Sequence, residues 1–180
     1  MLPEIIETER LVLRPWDFGD LADAFAYAQD DEWSRYLPVP RPYYERDAKT
    51  FIARQILLER EQHPSWVLEF GGRNVGGINV RFSSEHRIGE MGYSLARPLW
   101  GRGLVTEAAR AVIDAAFRTY PELVRVRAMA DARNVASRRV LEKCGMTCEG
   151  VLRSNRIHRG EPVDEAWHGI LRSEWEKGAR

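Results

Sequence analysis

The chain has 180 residues, of which 44% are hydrophobic, and its 27 basic and 27 acidic side chains cancel to a formal net charge of zero. This length and composition predict one domain, residues 1–180, around a sizeable core. The charge balance gives no reason to expect nucleic acid or an anionic membrane as a partner. The N-terminus lacks the features of a secretory signal, and no apolar run approaches the roughly 20 residues that cross a bilayer, so we expect a cytoplasmic protein.

Hydrophobic periodicity predicts, in chain order, a strand, two helices, three strands, a helix, a strand, a helix and two strands. The strands are expected at residues 8–16, 66–70, 75–82, 87–96, 124–130, 147–154 and 164–172. The helices are expected at residues 20–29, 44–61, 106–120 and 134–144. Turns at 71–74 and 159–162 predict two hairpins, and the two glycines of strand 87–96 suggest a bulge or the close approach of a ligand. The order predicts an α/β fold with a mixed, mostly antiparallel sheet and helices on both faces.

The most informative segment is 98–108, which reads PLWGRGLVTEA. A predicted strand leads into a loop with two glycines, and the loop leads into a predicted helix. Unpaired N–H groups at a helix start, together with the helix dipole, form an anion site that suits a diphosphate. Gly101 and Gly103 allow close approach of a ligand to the backbone, and Arg102 offers a charge-assisted contact. By itself, the loop also fits an ordinary strand-to-helix connection.

Two common phosphate motifs do not match this loop. A Walker loop requires Gly-Lys-Ser/Thr at its end, whereas Gly103 is followed by Leu104 and Val105. A dinucleotide fingerprint requires a third Gly or Ala where Thr106 stands.

The loop resembles the acetyl-CoA loop of the GNAT acetyltransferase superfamily, whose pattern is Gln/Arg-x-x-Gly-x-Gly/Ala. In that alignment Trp100 takes the first position, Gly103 the fourth and Val105 the sixth, so two of the three positions depart from the pattern. The longer string WGRGLVTEA is similar to the ribosomal-protein-alanine N-acetyltransferases, the Rim-type branch of the superfamily. The departures keep the backbone donors but replace the Gln/Arg side chain by an indole.

Four further stretches resemble the same branch, so the resemblance spans nearly the whole chain. They are ETERLVLRP (7–15), GEMGYSL (89–95), NVASRRVLEKCGM (134–146) and VDEAWHGILRSEW (163–175). The resemblance implies a single GNAT-like domain that transfers an acetyl group from acetyl-CoA to an amine. It implies that the cofactor contacts Tyr93, Ser94, Leu95, Trp100, Gly101, Arg102, Gly103, Leu104, Val105, Thr106, Asn134 and Ser137.

The resemblance also implies roles within this set. The backbone of residues 93–95 would pair with the pantetheine arm, and an N–H near Leu95 would stabilise the oxyanion. Asn134 is predicted to cap a helix, and the resemblance adds a contact with pantetheine. Ser137 would hydrogen-bond the departing thiolate. Many GNAT enzymes have a tyrosine four positions later, where this chain has Leu141, so either Ser137 or water is expected to supply the proton.

Glu90 is the second candidate catalytic residue. A carboxylate within a strand is unfavourable unless it is exposed or useful. One interpretation is a solvent-facing pair with a neighbouring strand. The other is a general base, acting through water, that removes a proton from the amine before the amine attacks.

Proton affinity favours one class of amine acceptor. A terminal α-amine has a pKa near 7.7–8.0 and a lysine a pKa near 10.4, so deprotonating the lysine costs about 3 kcal/mol more. This favours a protein or peptide N-terminus, while a polyamine or antibiotic acetyltransferase and a non-catalytic acyl-CoA-binding module stay open as alternatives. The acidic run 30–32 fits either a site for a cationic acceptor or a solvated loop.

The remaining expectations concern metals, cysteines and assembly. The four histidines lack metal-ligand spacing, so no metal is expected. Cys144 and Cys148 are predicted to be reduced structural thiols, because their spacing does not make a C-x-x-C motif. We expect a monomer or a homodimer.

Overall fold

Eight strands and five helices make up the part of the chain that the computed structural model describes, residues 1–83 and 85–178. The strands are β1 (Ile6–Glu7), β2 (Val12–Arg14), β3 (Ser65–Phe70), β4 (Arg73–Phe82), β5 (Ile88–Leu95), β6 (Arg125–Asp131), β7 (Thr147–His158) and β8 (Glu161–Leu171). The helices are α1 (Leu21–Ala28), α2 (Glu45–Leu57), α3 (Leu104–Thr119), α4 (Val135–Lys143) and α5 (Arg172–Gly178). None of the helices described is long and apolar enough to cross a membrane.

All of these strands join one sheet, in the order β1-β2-β3-β4-β5-β6-β8-β7. The pairing of β5 with β6 is parallel, and every other pairing is antiparallel. The predicted α/β fold with a mixed, mostly antiparallel sheet is therefore confirmed.

Helices cover both faces of the sheet, as predicted. On one face, the apolar side of α3 packs with Leu141 of α4 against side chains of β4, β5 and β6, and this forms the larger core. On the other face, Ala24 of α1 and Ile52 of α2 pack with Trp16 and with Val67 of β3. Burial of these apolar stripes is the main force that holds the helices against the sheet.

The structure differs from the prediction at both ends of the chain. Of the predicted strand 8–16, only β2 (Val12–Arg14) is a strand, because residues 8–11 form a tight turn, closed by Thr8 N donating to Leu11 O (2.9 Å), that reverses the chain after β1. The last hairpin, β7 and β8, turns on two residues, Arg159 and Gly160, rather than on the predicted four. Both residues have the positive φ that such a turn requires. Helix α5 was not predicted, and Glu174 stabilises its start by accepting a hydrogen bond from Leu171 N (2.8 Å).

Smaller differences concern the elements around the candidate site. The hairpin of β3 and β4 turns on two residues, Gly71 and Gly72, rather than four. The bulge suggested for strand 87–96 is absent, because β4 and β5 pair without interruption over seven residue pairs. Helix α3 begins at Leu104, two residues before the predicted start, which brings the helix closer to the glycines of the loop.

Candidate active site

A gap opens between two central strands, because β5 and β6 pair only over their first three residues. Over Met91–Leu95, β5 stays paired with β4 and has no partner on its other side within the described residues. The N–H of Ala96 donates to Val75 O (2.7 Å), and alternate residues of an antiparallel strand point to opposite sides. The N–H and C=O groups of Tyr93 and Leu95 therefore point into the gap.

The glycine loop has the geometry of an anion site. Gly101 and Gly103 have φ of 76° and 78°, the left-handed region that favours glycine. Within the part of the chain described, the backbone N–H groups of residues 101–106 have no acceptor. The side chains of Leu104 and Val105 are buried in the core, so these residues offer a ligand only their N–H groups. Such a set of free donors at the start of a long helix suits a diphosphate.

A polar network that the sequence did not predict holds this loop to the first turn of the chain. Arg10 Nη1 donates to Arg102 O (2.9 Å), and Arg10 Nε donates to Glu107 Oε2 (2.7 Å). Thr8 Oγ1 donates to Glu107 Oε1 (2.6 Å). Burial alone would raise the pKa of Glu107, but these hydrogen bonds outweigh it and lower that pKa. The network fixes the loop backbone before any ligand binds.

A cavity of about 470 Å³ lies beside the loop, and its lining carries three basic and two acidic side chains. It is lined by Glu9, Arg10, Gly103, Thr106, Glu107, Arg110 and Lys143. Arg110 donates to Lys143 O from Nε (3.1 Å) and from Nη2 (2.5 Å), which ties α3 to the end of α4. Because Arg10 is paired with Glu107, Arg110 and Lys143 are the basic side chains left beside the free N–H groups, and together they suit a ligand with phosphate charges.

Trp100 ties the glycine loop to the end of β5. Its indole Nε1 donates to Leu95 O (2.7 Å), and the residue as a whole is 44% exposed. The departure from Gln or Arg at this position thus has a structural consequence, because the indole holds the backbone at the mouth of the gap. With its carbonyl engaged, Leu95 presents its N–H to the gap.

Helix α4 begins on the other side of the gap. Asn134 Oδ1 accepts a hydrogen bond from Ser137 N (3.1 Å), so the predicted cap is confirmed. Tyr93 Oη lies 2.8 Å from Ser137 Oγ and 3.1 Å from Ser137 O, and this contact joins β5 to α4 across the gap. Burial raises the pKa of Tyr93, so its hydroxyl stays protonated at neutral pH. Leu141 is fully buried and offers no donor.

Glu90 lies between arginines of both neighbouring strands. Arg81 Nη2 is 2.6 Å from Glu90 Oε1, and Arg127 Nη2 is 2.9 Å from Glu90 Oε2. The sequence suggested an ion pair between Glu90 and a neighbouring strand, and the structure has one with each neighbour, β4 through Arg81 and β6 through Arg127. A carboxylate has about four acceptor positions, so Glu90 can still bind a water, and its role as a base stays a prediction.

Other polar groups near the gap have structural partners. Asp30 pairs with Arg97 (2.5 Å), and the other two acids of the run 30–32 also pair with arginines. These ion pairs favour the structural interpretation of the acidic run.

Burial raises the pKa of Cys144 to about 11, so this thiol is a poor nucleophile. Across residues 1–83 and 85–178, no cluster of His, Cys, Asp and Glu side chains has the arrangement of a metal site.

Comparison with known proteins places the chain in one family. A family model of the acetyltransferase (GNAT) domain matches residues 10–147. The uncharacterized N-acetyltransferase YoaA of Bacillus subtilis is 30% identical over 172 residues, which cover 93% of this chain and 97% of that protein.

Solved structures agree with this assignment. A GNAT-family acetyltransferase from Bacillus anthracis has a TM-score of 0.83 at 27% identity, over 94% of this chain and 99% of that chain. RimL, a ribosomal L7/L12 α-N-protein acetyltransferase solved in complex with coenzyme A, has a TM-score of 0.84 at 18% identity, over 93% of this chain and 98% of that chain. At that identity, the second likeness shows a shared fold only. The chain therefore belongs to the GNAT family of acetyltransferases, and its activity is acyl transfer to an amine.

Proposed function

We propose that this acetyltransferase moves the acetyl group of acetyl-CoA directly to the α-amine of a protein or peptide N-terminus, and that it does so in the cytoplasm. The observation that carries the cofactor assignment is the gap between β5 and β6, with the glycine loop beside its open end. Backbone donors and acceptors line one side of the gap, and free N–H groups with cationic neighbours mark its end. This arrangement fits an extended amide-containing arm that is joined to a diphosphate.

The residues along the gap then have distinct tasks. The N–H groups of residues 101–106 bind the diphosphate, and Arg102, Arg110 and Lys143 add positive charge. The N–H and C=O groups of Tyr93 pair with the pantetheine amides, and Asn134 contacts the arm from the start of α4. The N–H and C=O groups of Ser94 point toward β4, so this residue makes no backbone hydrogen bond to the arm. The N–H of Leu95 is left for the thioester carbonyl. This threading brings the thioester between the end of β5 and Ser137.

The reaction is a direct transfer. The neutral amine attacks the thioester carbonyl, and the N–H of Leu95 stabilises the oxyanion that forms. The C–N bond forms first and gives a tetrahedral intermediate. When the intermediate collapses, the C=O bond re-forms and the C–S bond breaks, the sulfur keeps the electron pair, and Ser137 Oγ donates a hydrogen bond to it. The proton lost by the amine passes to Glu90 through a water. Glu90 and Tyr93 lie three residues apart on β5 and hence on opposite faces of the sheet, so the amine enters on one face and the thiolate departs toward the other.

An α-amine is the acceptor that the chemistry favours. It is far more often neutral near pH 7 than a lysine, which saves about 3 kcal/mol in deprotonation. The acidic run 30–32, the feature that pointed to a polycationic acceptor, is neutralised by arginines within the chain. RimL acts on a protein α-amine and shares this fold, which supports the same acceptor class by analogy.

The test is release of free thiol from acetyl-CoA with a panel of amines. The panel contains peptides with free N-termini, a polyamine and an aminoglycoside, each at the same concentration. Thiol release that is fastest with the peptides supports the proposal. Faster release with the polyamine or the aminoglycoside assigns a small-molecule acceptor instead. Binding of acetyl-CoA with no release for any amine assigns a non-catalytic acyl-CoA-binding module.

A further inference from the structure

We propose that Tyr93 is a positioning residue for the departing thiolate: its hydroxyl donates to Ser137 Oγ and thereby frees the Ser137 proton for the sulfur of coenzyme A. The inference rests on the proposed function, because it requires that coenzyme A binds with its sulfur beside Ser137. It goes beyond that function by assigning a task to the tyrosine hydroxyl, whereas the resemblance implied a role only for the backbone of this residue.

The contact allows two arrangements of protons. Tyr93 Oη is 3.1 Å from Ser137 O and 2.8 Å from Ser137 Oγ, yet the hydroxyl carries one proton. In the closed arrangement, Tyr93 donates to Ser137 O and the serine donates to Tyr93 Oη. In the open arrangement, Tyr93 donates to Ser137 Oγ, and the serine proton is free for a third atom. The two arrangements differ only by rotation of two O–H bonds.

Formation of the thiolate favours the open arrangement. A thioester sulfur is a weak acceptor, so the closed arrangement is preferred while acetyl-CoA is intact. As the C–S bond breaks, negative charge develops on the sulfur, and hydrogen bonds to a charged acceptor are about twice as strong as neutral ones. The stabilisation therefore appears mainly in the transition state, which is the condition for raising kcat rather than only tightening binding.

Tyr93 keeps its own proton throughout this sequence. Burial raises its pKa, which disfavours a tyrosinate. No covalent bond to Tyr93 or Ser137 forms or breaks, and the thiolate takes its proton from water after it leaves. Tyr93 is thus a donor that orients Ser137, and water is the final proton source.

The test is a double-mutant cycle with a matched control. Tyr93→Phe keeps the ring and removes the hydroxyl, and it is expected to lower kcat about 3- to 10-fold, the range for one neutral hydrogen bond, with little change in KM for acetyl-CoA. Tyr120→Phe is the control, since Tyr120 is a buried tyrosine that lies at the end of α3 against Phe82, outside the gap. The control should retain the parent kcat. In a Ser137→Ala background, Tyr93→Phe should have no further effect on kcat.

A second measurement requires coenzyme A binding but no turnover. Ultraviolet absorbance follows the thiolate of bound coenzyme A as pH rises. The thiol pKa is expected to be higher in Tyr93→Phe than in the parent. Replacing Tyr93 by 3-fluorotyrosine, a more acidic phenol, should lower it, and this variant serves if Tyr93→Phe does not fold.

The outcomes separate this inference from the proposed function. A Tyr93→Phe loss in kcat that persists in the Ser137→Ala background, or a thiol pKa unmoved by either tyrosine variant, would overturn the positioning role. If the parent binds coenzyme A but acetylates no amine, the proposed function fails, and the thiol titration alone decides the role of Tyr93.

Discussion

Gly103→Asp is expected to abolish the stabilisation of the protein by acetyl-CoA, whereas Gly103→Ala is expected to keep most of it. At φ 78°, a side chain strains the backbone by about 1–2 kcal/mol in either variant, although Asp tolerates this region better than Ala. There is room for the first atom, because a Cβ would lie 3.6 Å from Arg10 Nη2. At about 2–4 °C per kcal/mol for a chain of this size, the strain lowers the melting temperature of both unliganded variants by roughly 2–8 °C.

The two variants differ in what they place beside the diphosphate. Ligand at about 100 times its Kd stabilises the native state by about 2.7 kcal/mol, which corresponds to a shift of roughly 5–10 °C. A carboxylate about 4 Å from a phosphate charge costs about 4 kcal/mol at an effective dielectric of about 20, which weakens binding about 10³-fold. With Kd raised about 10³-fold, the same acetyl-CoA concentration is about a tenth of Kd, so the ligand no longer raises the melting temperature.

The assay is thermal unfolding of each variant with and without acetyl-CoA at one fixed concentration. Each variant is compared with its own unliganded form, so the strain common to both cancels. A shift in Gly103→Asp as large as that of the parent would refute the assignment of the loop. An equal loss of the melting-temperature shift in Gly103→Ala would show that lack of space for a side chain, rather than charge repulsion, prevents binding of acetyl-CoA.

Three further predictions concern the reacting groups. Ser137→Ala should lower kcat about 10- to 100-fold in steady-state kinetics with little change in cofactor affinity. An unchanged kcat would mean that water, and not Ser137, hydrogen-bonds the thiolate. Glu90→Gln should lower kcat about 10²-fold near neutral pH, and the defect should shrink at high pH, where the amine is already neutral. A defect that is constant with pH would instead mean that Glu90 orients the substrate or Arg127. Since burial raises the pKa of Cys144 to about 11, alkylation followed by mass spectrometry at pH 8 should modify the exposed Cys148 and spare Cys144, and rapid labelling of both would contradict this.

Local features of the site could be predicted from sequence because neighbouring residues determine them. The glycines of the loop and the cap at Asn134 lie within a few residues of the helix starts that they shape. Periodicity likewise predicted the long helix α3, because its apolar stripe recurs every three to four residues. These signals need no knowledge of the rest of the fold.

Contacts between distant residues could not be predicted in this way. Arg10 and Glu107 are 97 positions apart, and each stood in a stretch that resembled the family, but nothing in either stretch shows that they meet. Tyr93 and Ser137, 44 positions apart, face each other only because β5 separates from β6 and α4 starts across the gap. The separation of β5 from β6 depends on how the strands are ordered in the sheet, and the hydrophobic pattern of one strand does not determine that order.

Acceptor choice is tested most directly by mass spectrometry of two matched peptides incubated with the protein and acetyl-CoA. One peptide has a free α-amine and no lysine, and the other has a blocked N-terminus and one lysine. We expect acetylation of the first peptide at its α-amine, with one free thiol released per acetyl group, and little acetylation of the second. Acetylation of the lysine peptide alone, or of neither peptide by a protein that binds acetyl-CoA, would contradict an α-amine acceptor.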